Sequence, residues 1–289
     1  MLPIIGLVLV FVLVFGGYVI SGGKMEPVLH AIPHEIMIIG GAAVGAFLIA
    51  NGMGIIKKAG AGVVKVIKGP KWKKDDYRDL LCLMFVLTKL VRTKGVIALE
   101  QHIENPKESK IFNHFSKIAA DHHAVVFICD YLRMITMNFD DAYQVEDVML
   151  KDLEKHHQEE HEPAHSLQIM ADGMPALGIV AAVLGIVKTM GSINEPVEIL
   201  GAMIGSALVG TFMGIFLSYL VVGPMAVRLR QVLDEEGKFY NVIKDTLVSH
   251  LHGNAPQISV EIGRKSVPTS LQPTFYELDE AVANIPPEL

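Results

Sequence analysis

The chain has 289 residues, 51% of them hydrophobic and 19% charged, with a formal net charge of −6 and a mean hydropathy of +0.40. A charged fraction below the roughly 25% of soluble domains points to a membrane protein with one soluble part. The acidic balance, with no basic groove interleaved with aromatics, argues against nucleic acid as a partner. Cys82 and Cys129 lack metal-ligand spacing and read as reduced core residues, not as a disulfide framework.

The first predicted element is Leu2–Ile20, a run without charge. It lacks the basic start of a signal peptide and is too long for one, so it reads as a membrane span. A short loop to Glu35 follows, and then a second span, Ile36–Ile56, whose one clearly polar side chain is Asn51. Lys57, Lys58, Lys65, Lys68, Lys71, Lys73, Lys74 and Arg78 come next. The middle segment reads as helical throughout. Asp75 and Asp76 are N-cap candidates for a helix with i, i+3, i+4 apolar spacing, and Gly95 is a candidate stop. A second helical pattern follows the Asn105-Pro106 break, and a third, strongly polar one runs toward the next span.

The third span is Gly173–Ile193, with Lys188 as its one charge. A tight turn at Asn194-Glu195-Pro196 leads to a fourth, uncharged span, Ile199–Val222. Arg228 and Arg230 follow it. An amphipathic helix to about His252 comes next. From Gly253 onward the prolines Pro256, Pro268, Pro273, Pro286 and Pro287 suggest a flexible tail. The positive-inside rule puts both termini and the middle segment in the cytoplasm. The expected fold class is therefore an all-α membrane protein, with four transmembrane helices and a helical cytoplasmic domain between spans two and three. The expected division is 1–56 (spans one and two), 57–170 (cytoplasmic domain), 171–225 (spans three and four) and 226–289 (C-terminal helix and tail).

Residues 161–165, His-Glu-Pro-Ala-His, fit H-E-x-x-H, in which two histidines one helical turn apart bind zinc and the glutamate acts as base. Pro163 disfavours an uninterrupted helix there, and no third ligand is evident downstream. The plainer reading is a solvated charged helix with no metal and no catalysis.

In span three, Pro175, Gly178, Ala182, Gly185 and Thr189 recur at alternating steps of three and four, a nearly smooth helix face. Span four offers Gly201, Gly205, Gly210 and Gly214. The length of the span-three stripe suggests a second chain's helix against it. Pro175 has two readings: a first-turn proline after an Asp172 cap, or a hinge in a helix that runs on into the membrane. No acid falls inside any of the four predicted spans, yet proton relays need an intramembrane carboxylate. Either the chain does not conduct or a partner helix supplies the acid.

Three stretches, ADGMPALGIVAAVLGIVKTMGS (171–192), SALVGTFMGIFLSYLVVGPMA (206–226) and RTKGVIALEQHIENP (92–106), resemble the MotA family of flagellar motor stator subunits, in the family's order. EKHHQEEHEPAHSL (154–167) is similar to that family's ordinary run-in to the third span, which argues against zinc. The resemblance implies a proton-conducting stator subunit in the inner membrane that uses no cofactor. It implies a single-span MotB-like partner that brings the membrane aspartate, a ring of five such chains around two partners, and a cytoplasmic push on the rotor protein FliG. It carries the family's functional prolines onto Pro175 and Pro224, and its rotor-facing charges onto Arg92 and Glu100. Those two charges lie roughly 12 Å apart if one helix holds both. Sodium-driven relatives carry threonine where Ala182 stands, so proton coupling is expected, with Thr211 offering a hydroxyl near the path. For Pro224 a mere helix stop is an equal reading, and for Thr211 a bond to its own helix backbone is the plainer one. The rival readings are an ExbB- or TolQ-like energiser of outer-membrane processes and a membrane zinc protease at residues 161–165.

Overall fold

The computed structural model describes residues 2–286, and among them every regular element is helical. In chain order these are α1 (Leu2–Ile20), α2 (Met25–Glu35), a π turn π1 (Ile36–Gly40), α3 (Gly41–Ala50), α4 (Met53–Lys68), α5 (Lys74–Lys94), α6 (Ile97–Ile103), α7 (Lys110–His114), α8 (Ser116–Ala119), α9 (His122–Thr136), α10 (Ala142–Met190), α11 (Val197–Phe216), a second π turn π2 (Leu217–Val222), α12 (Gly223–Leu251), α13 (Pro256–Lys265) and α14 (Phe275–Ala283). Among the described residues, four stretches are long and apolar enough to cross a membrane: Leu2–Ile20, Met25–Ala50, and parts of Ala142–Met190 and Val197–Leu251.

Two compact units divide the chain, and each is built from two separate segments. One comprises residues 1–69 and 160–233, the other 70–159 and 234–289. Helices α10 and α12 supply residues to both.

The first unit holds the four candidate spans. Span two begins earlier than the sequence suggests. Val28, Leu29, Ala31 and Ile32 extend its apolar pattern backwards, so α2 starts at Met25 and Glu35 lies inside the span. Pro33 does not stop it. A proline removes the N–H that would bond the carbonyl four residues back, and the wider π1 turn follows directly. Span two ends at Asn51, whose side chain donates to the Phe47 carbonyl at 2.8 Å and accepts from Ser166 Oγ at 2.8 Å. Further along, α4 comes so close to α12 that a Cβ on Gly62 would lie 2.6 Å from a Leu229 methyl. Val66, Ala164, Leu229 and Leu233 close a small apolar cluster there.

The second unit has the larger core. Tyr77, Leu80, Leu81, Leu83, Met84 and Leu87 of α5 are fully buried, and α6, α9, α12 and α13 pack around them. Trp72 stacks on Phe239 with ring centroids 3.9 Å apart. Lys73 takes the N-cap position of α5, and Asp76 accepts its backbone N–H at 2.7 Å. Cys82 and Cys129 are free and buried, and burial pushes both thiols up to about 12, so neither is a reactive thiolate.

The C-terminal segment corrects the flexible-tail expectation. Pro256 begins α13, where its missing N–H costs nothing. Thr274 and Glu277 form a capping box at the start of α14: Thr274 N–H donates to Glu277 Oε2 at 2.6 Å, and Glu277 N–H to Thr274 Oγ1 at 3.2 Å. Lys74 pairs with Glu277 at 2.7 Å, and the buried Arg264 donates to the Pro273 carbonyl at 2.9 Å. Pro256 opens α13, Pro268 and Pro273 lie in the link between α13 and α14, Pro286 follows α14, and Pro287 lies outside the described residues.

Candidate functional site

Spans three and four meet backbone to backbone. A Cβ on Gly178 would lie 2.9 Å from the Gly210 carbonyl oxygen and 3.0 Å from the Gly214 Cα. One on Gly214 would lie 2.7 Å from the Met174 carbonyl oxygen, and one on Gly185 2.6 Å from the Ala207 Cβ. Only glycine permits such an approach, which brings main-chain dipoles of the two helices together in an apolar medium. The small-residue stripe is therefore filled by span four of the same chain. Ala182 and Thr189 are buried, and Thr189 bonds back to the Gly185 carbonyl at 2.9 Å. The expectation that a second chain's helix occupies this stripe is corrected. The face of α10 left exposed is the bulky one, including Ile179, Val183, Ile186 and Val187.

Pro175 sits in the interior of α10, which runs without interruption from Ala142 through Pro163 and Pro175 to Met190. Of its two readings, the structure takes the run-on helix, leaving the Ala171 carbonyl without its usual N–H donor. Continuity through Pro163 corrects the expected break in the His-Glu-Pro-Ala-His stretch. His161, Glu162 and His165 all lie within this one helix, with Glu162 and His165 exposed.

Pro224 is not a helix stop. It follows Gly223 at the start of α12, directly after π2, and the backbone stays helical from α11 through π2 into α12. A Cβ on Gly223 would lie 2.8 Å from the Ser218 carbonyl oxygen, which explains glycine in this wide turn. Single π turns concentrate where helices bend for function. Ser218, within π2, is buried, and its Oγ has no hydrogen-bond partner among the described residues. Thr211 is half-buried and makes none of the bonds to its own helix that Thr189 makes.

One residue of this unit lies outside the four predicted spans and yet inside the helix bundle. Glu35 is 6% exposed, and its Oε2 has no hydrogen-bond partner among the described residues. It faces Gly210, where a Cβ would lie 2.6 Å from Oε2 and 3.2 Å from the Ala181 Cβ. The statement that no acid lies within the spans is thereby corrected. Extending the i, i+3, i+4 pattern back through Ala31 and Ile32, past Pro33, would have found it.

In the second unit, Arg92 lies in the last turn of α5 and Glu100 in α6, so one continuous helix does not hold both. Gly95, at φ +79°, ends α5 and donates to the Val91 carbonyl at 2.9 Å. Arg92 and Glu100 are both exposed, and Arg92 also reaches the Gly253 carbonyl at 3.5 Å. Nearby His250 is held below its ordinary value of 6.5 by burial and by the Arg92 charge.

Comparison with known proteins agrees with this arrangement. Residues 4–95 match the family described as Motility protein A N-terminal, and residues 111–241 match the MotA/TolQ/ExbB proton channel family. Motility protein A of Salmonella typhimurium is 42% identical over 282 residues, covering 98% of this chain and 95% of that protein. Among solved structures, C. jejuni MotAB superposes with a TM-score of 0.72 at 20% identity, covering 92% of this chain and 95% of that one. The flagellar MotAB stator complex from Bacillus subtilis superposes with a TM-score of 0.65 at 25% identity, covering 89% and 92%. The chain therefore belongs to the MotA/TolQ/ExbB proton channel family, in its motility protein A branch.

Proposed function

We propose that this chain is the multi-pass subunit of a flagellar motor stator, and that with a MotB-like partner it conducts protons and converts their flow into torque on the rotor. The observation that carries the reading is end-to-end likeness to a motility protein A, with 98% of this chain aligned at 42% identity. ExbB- and TolQ-like energisers share the channel family, but the match to the motility-specific N-terminal region, residues 4–95, favours the motor.

The partner contributes a single span bearing an aspartate. Five copies of this chain surround two partners, both termini lie in the cytoplasm, and the cytoplasmic unit acts on FliG. Protonation neutralises the partner's acid and lets it enter an apolar contact that its charged form avoids. The changed contact bears on the exposed face of α10 and, through the glycine-lined backbone contact, moves α10 and α11 together. Pro175 is the hinge in α10, and Pro224 with the π2 turn is the hinge between α11 and α12. Because α10 and α12 both continue into the second unit, a shift at these prolines reaches Arg92 and Glu100. Ala182 presents a methyl group where a sodium path would need an oxygen, and Thr211 offers its free hydroxyl to the proton path. Each charge crossing the field contributes about 2.3 kcal/mol per 100 mV, so torque requires repeated passage.

The test is Pro175→Leu, co-expressed with the partner in a motile host lacking its own stator. Unchanged membrane assembly with loss of swimming is expected. Normal swimming with normal assembly would remove Pro175 from the mechanism.

A further inference from the structure

Glu35 is a carboxylic acid inside a helix long and apolar enough to cross a membrane, nine-tenths buried, with one oxygen that touches no donor among the described residues. Its surroundings are apolar. Ile39, Ala181, Met213 and Phe216 form the neighbouring cluster, and Gly210 opposite leaves just enough room for the carboxyl group. The elements around it carry few charges. Span one has none, π1 has none, and π2 has only the exposed Tyr219. Helix α11 has only Glu198 in its first turn, and the span portion of α10 has Asp172 and Lys188, both exposed. On its own helix the adjacent His34 is exposed and bonded to the His30 carbonyl at 3.3 Å, and Glu26 lies in the first turn. Gly210 lies 13 residues into α11, about 20 Å from that helix's start at 1.5 Å per residue, well within hydrocarbon depth.

An ionised carboxylate with an unsatisfied oxygen in such a place is far less favourable than the neutral acid. A carboxyl group placed there is held in its neutral, protonated form rather than as a charge. We propose that Glu35 is a proton-binding group that this subunit itself places in the ion path, in addition to the acid brought by the partner. It is protonated when α2 and α11 are closed over it and releases its proton when they part. On loading, Oε2 gains a proton from hydronium and one O–H bond forms. On release the same bond breaks and the proton returns to water, with nothing oxidised or reduced. The π1 turn immediately after Glu35 lets its helix yield locally without breaking. The role in proton flow rests on the stator reading; the protonation of Glu35 does not.

The experiment is pH-difference infrared spectroscopy on the purified complex with its single-span partner, comparing wild type, Glu35→Gln and Glu35→Asp, together with swimming speed across external pH in a stator-less host. Glu35→Gln copies the neutral acid in shape and is expected to assemble. We expect the wild type to show a pH-sensitive protonated-carboxyl C=O band that is lost in Glu35→Gln and shifted in Glu35→Asp. Glu35→Gln should swim more slowly, and Glu35→Asp should recover part of the loss. An identical band in Glu35→Gln, or a wild-type speed-versus-pH profile in that variant, overturns the proposal. Should Glu35→Gln fail to assemble, an unshifted band in Glu35→Asp overturns it equally. If the wild-type complex shows the Glu35 band yet restores no swimming, the stator reading fails and the proton site stands.

Discussion

A methyl group on Gly214 would meet the Met174 carbonyl oxygen and the Gly178 Cα, both main-chain atoms that cannot rotate away. Gly214→Ala is therefore expected to cost about 1–3 kcal/mol through overpacking, read as a lowered melting temperature of the detergent-purified protein. Gly201, with nothing within 4 Å of its added Cβ, is the control, and Gly201→Ala should change little. Outside the membrane, His250 supplies a pH dependence. Burial and the Arg92 charge lower its folded value below 6.5, so the unfolded chain binds its proton first. Stability from this group is complete above 6.5 and is lost as pH falls from 6.5 toward the lowered folded value. Melting temperature should thus drop on acidification across that window, and His250→Gln should flatten the drop. His102, lowered by burial and by Lys94, adds a second contribution of the same sign that this variant leaves in place.

At the scale of elements, the sequence was readable wherever apolar periodicity was long, and it misled at prolines. Span one was legible end to end because nothing interrupts its apolar run. Pro163 and Pro175 both lie inside α10, since the turns on either side keep the helix going across one lost bond each. The predicted start of span two at Ile36 leaves out Met25–Glu35, 11 of the 26 residues of Met25–Ala50, and Glu35 with them. The candidate site was correspondingly half visible. The small-residue stripe stood out, but its occupant did not, because spacing shows which residues share a face and not what covers it. Gly95, a candidate stop in the sequence, does end α5 and puts Arg92 and Glu100 on separate helices, which removes the single-helix spacing between them. The C-terminal prolines pointed to disorder, whereas the Thr274–Glu277 box caps a docked helix. Thr274→Ala should therefore cost about 1 kcal/mol at α14, measured as faster proteolysis within residues 275–283 while the remaining fragment pattern is unchanged.

For the whole molecule, the two units interleave along the chain: residues 70–159 are inserted between the halves of the four-span unit. Single charge reversals at Arg92 or Glu100 should leave melting temperature unchanged, because both are exposed, and should reduce swimming if these charges face a rotor. An increase in swimming defects together with lost stability would instead mark them as structural. The interleaving has a further consequence at Glu35. Its cover, Gly210, is encoded 175 positions later (210 − 35). At about 5–20 residues per second, the ribosome takes roughly 10–35 seconds to deliver it. Throughout that interval the second hydrophobic segment leaves the translocon carrying a bare acid, and lateral release into lipid favours whichever nascent chains have that side chain uncharged.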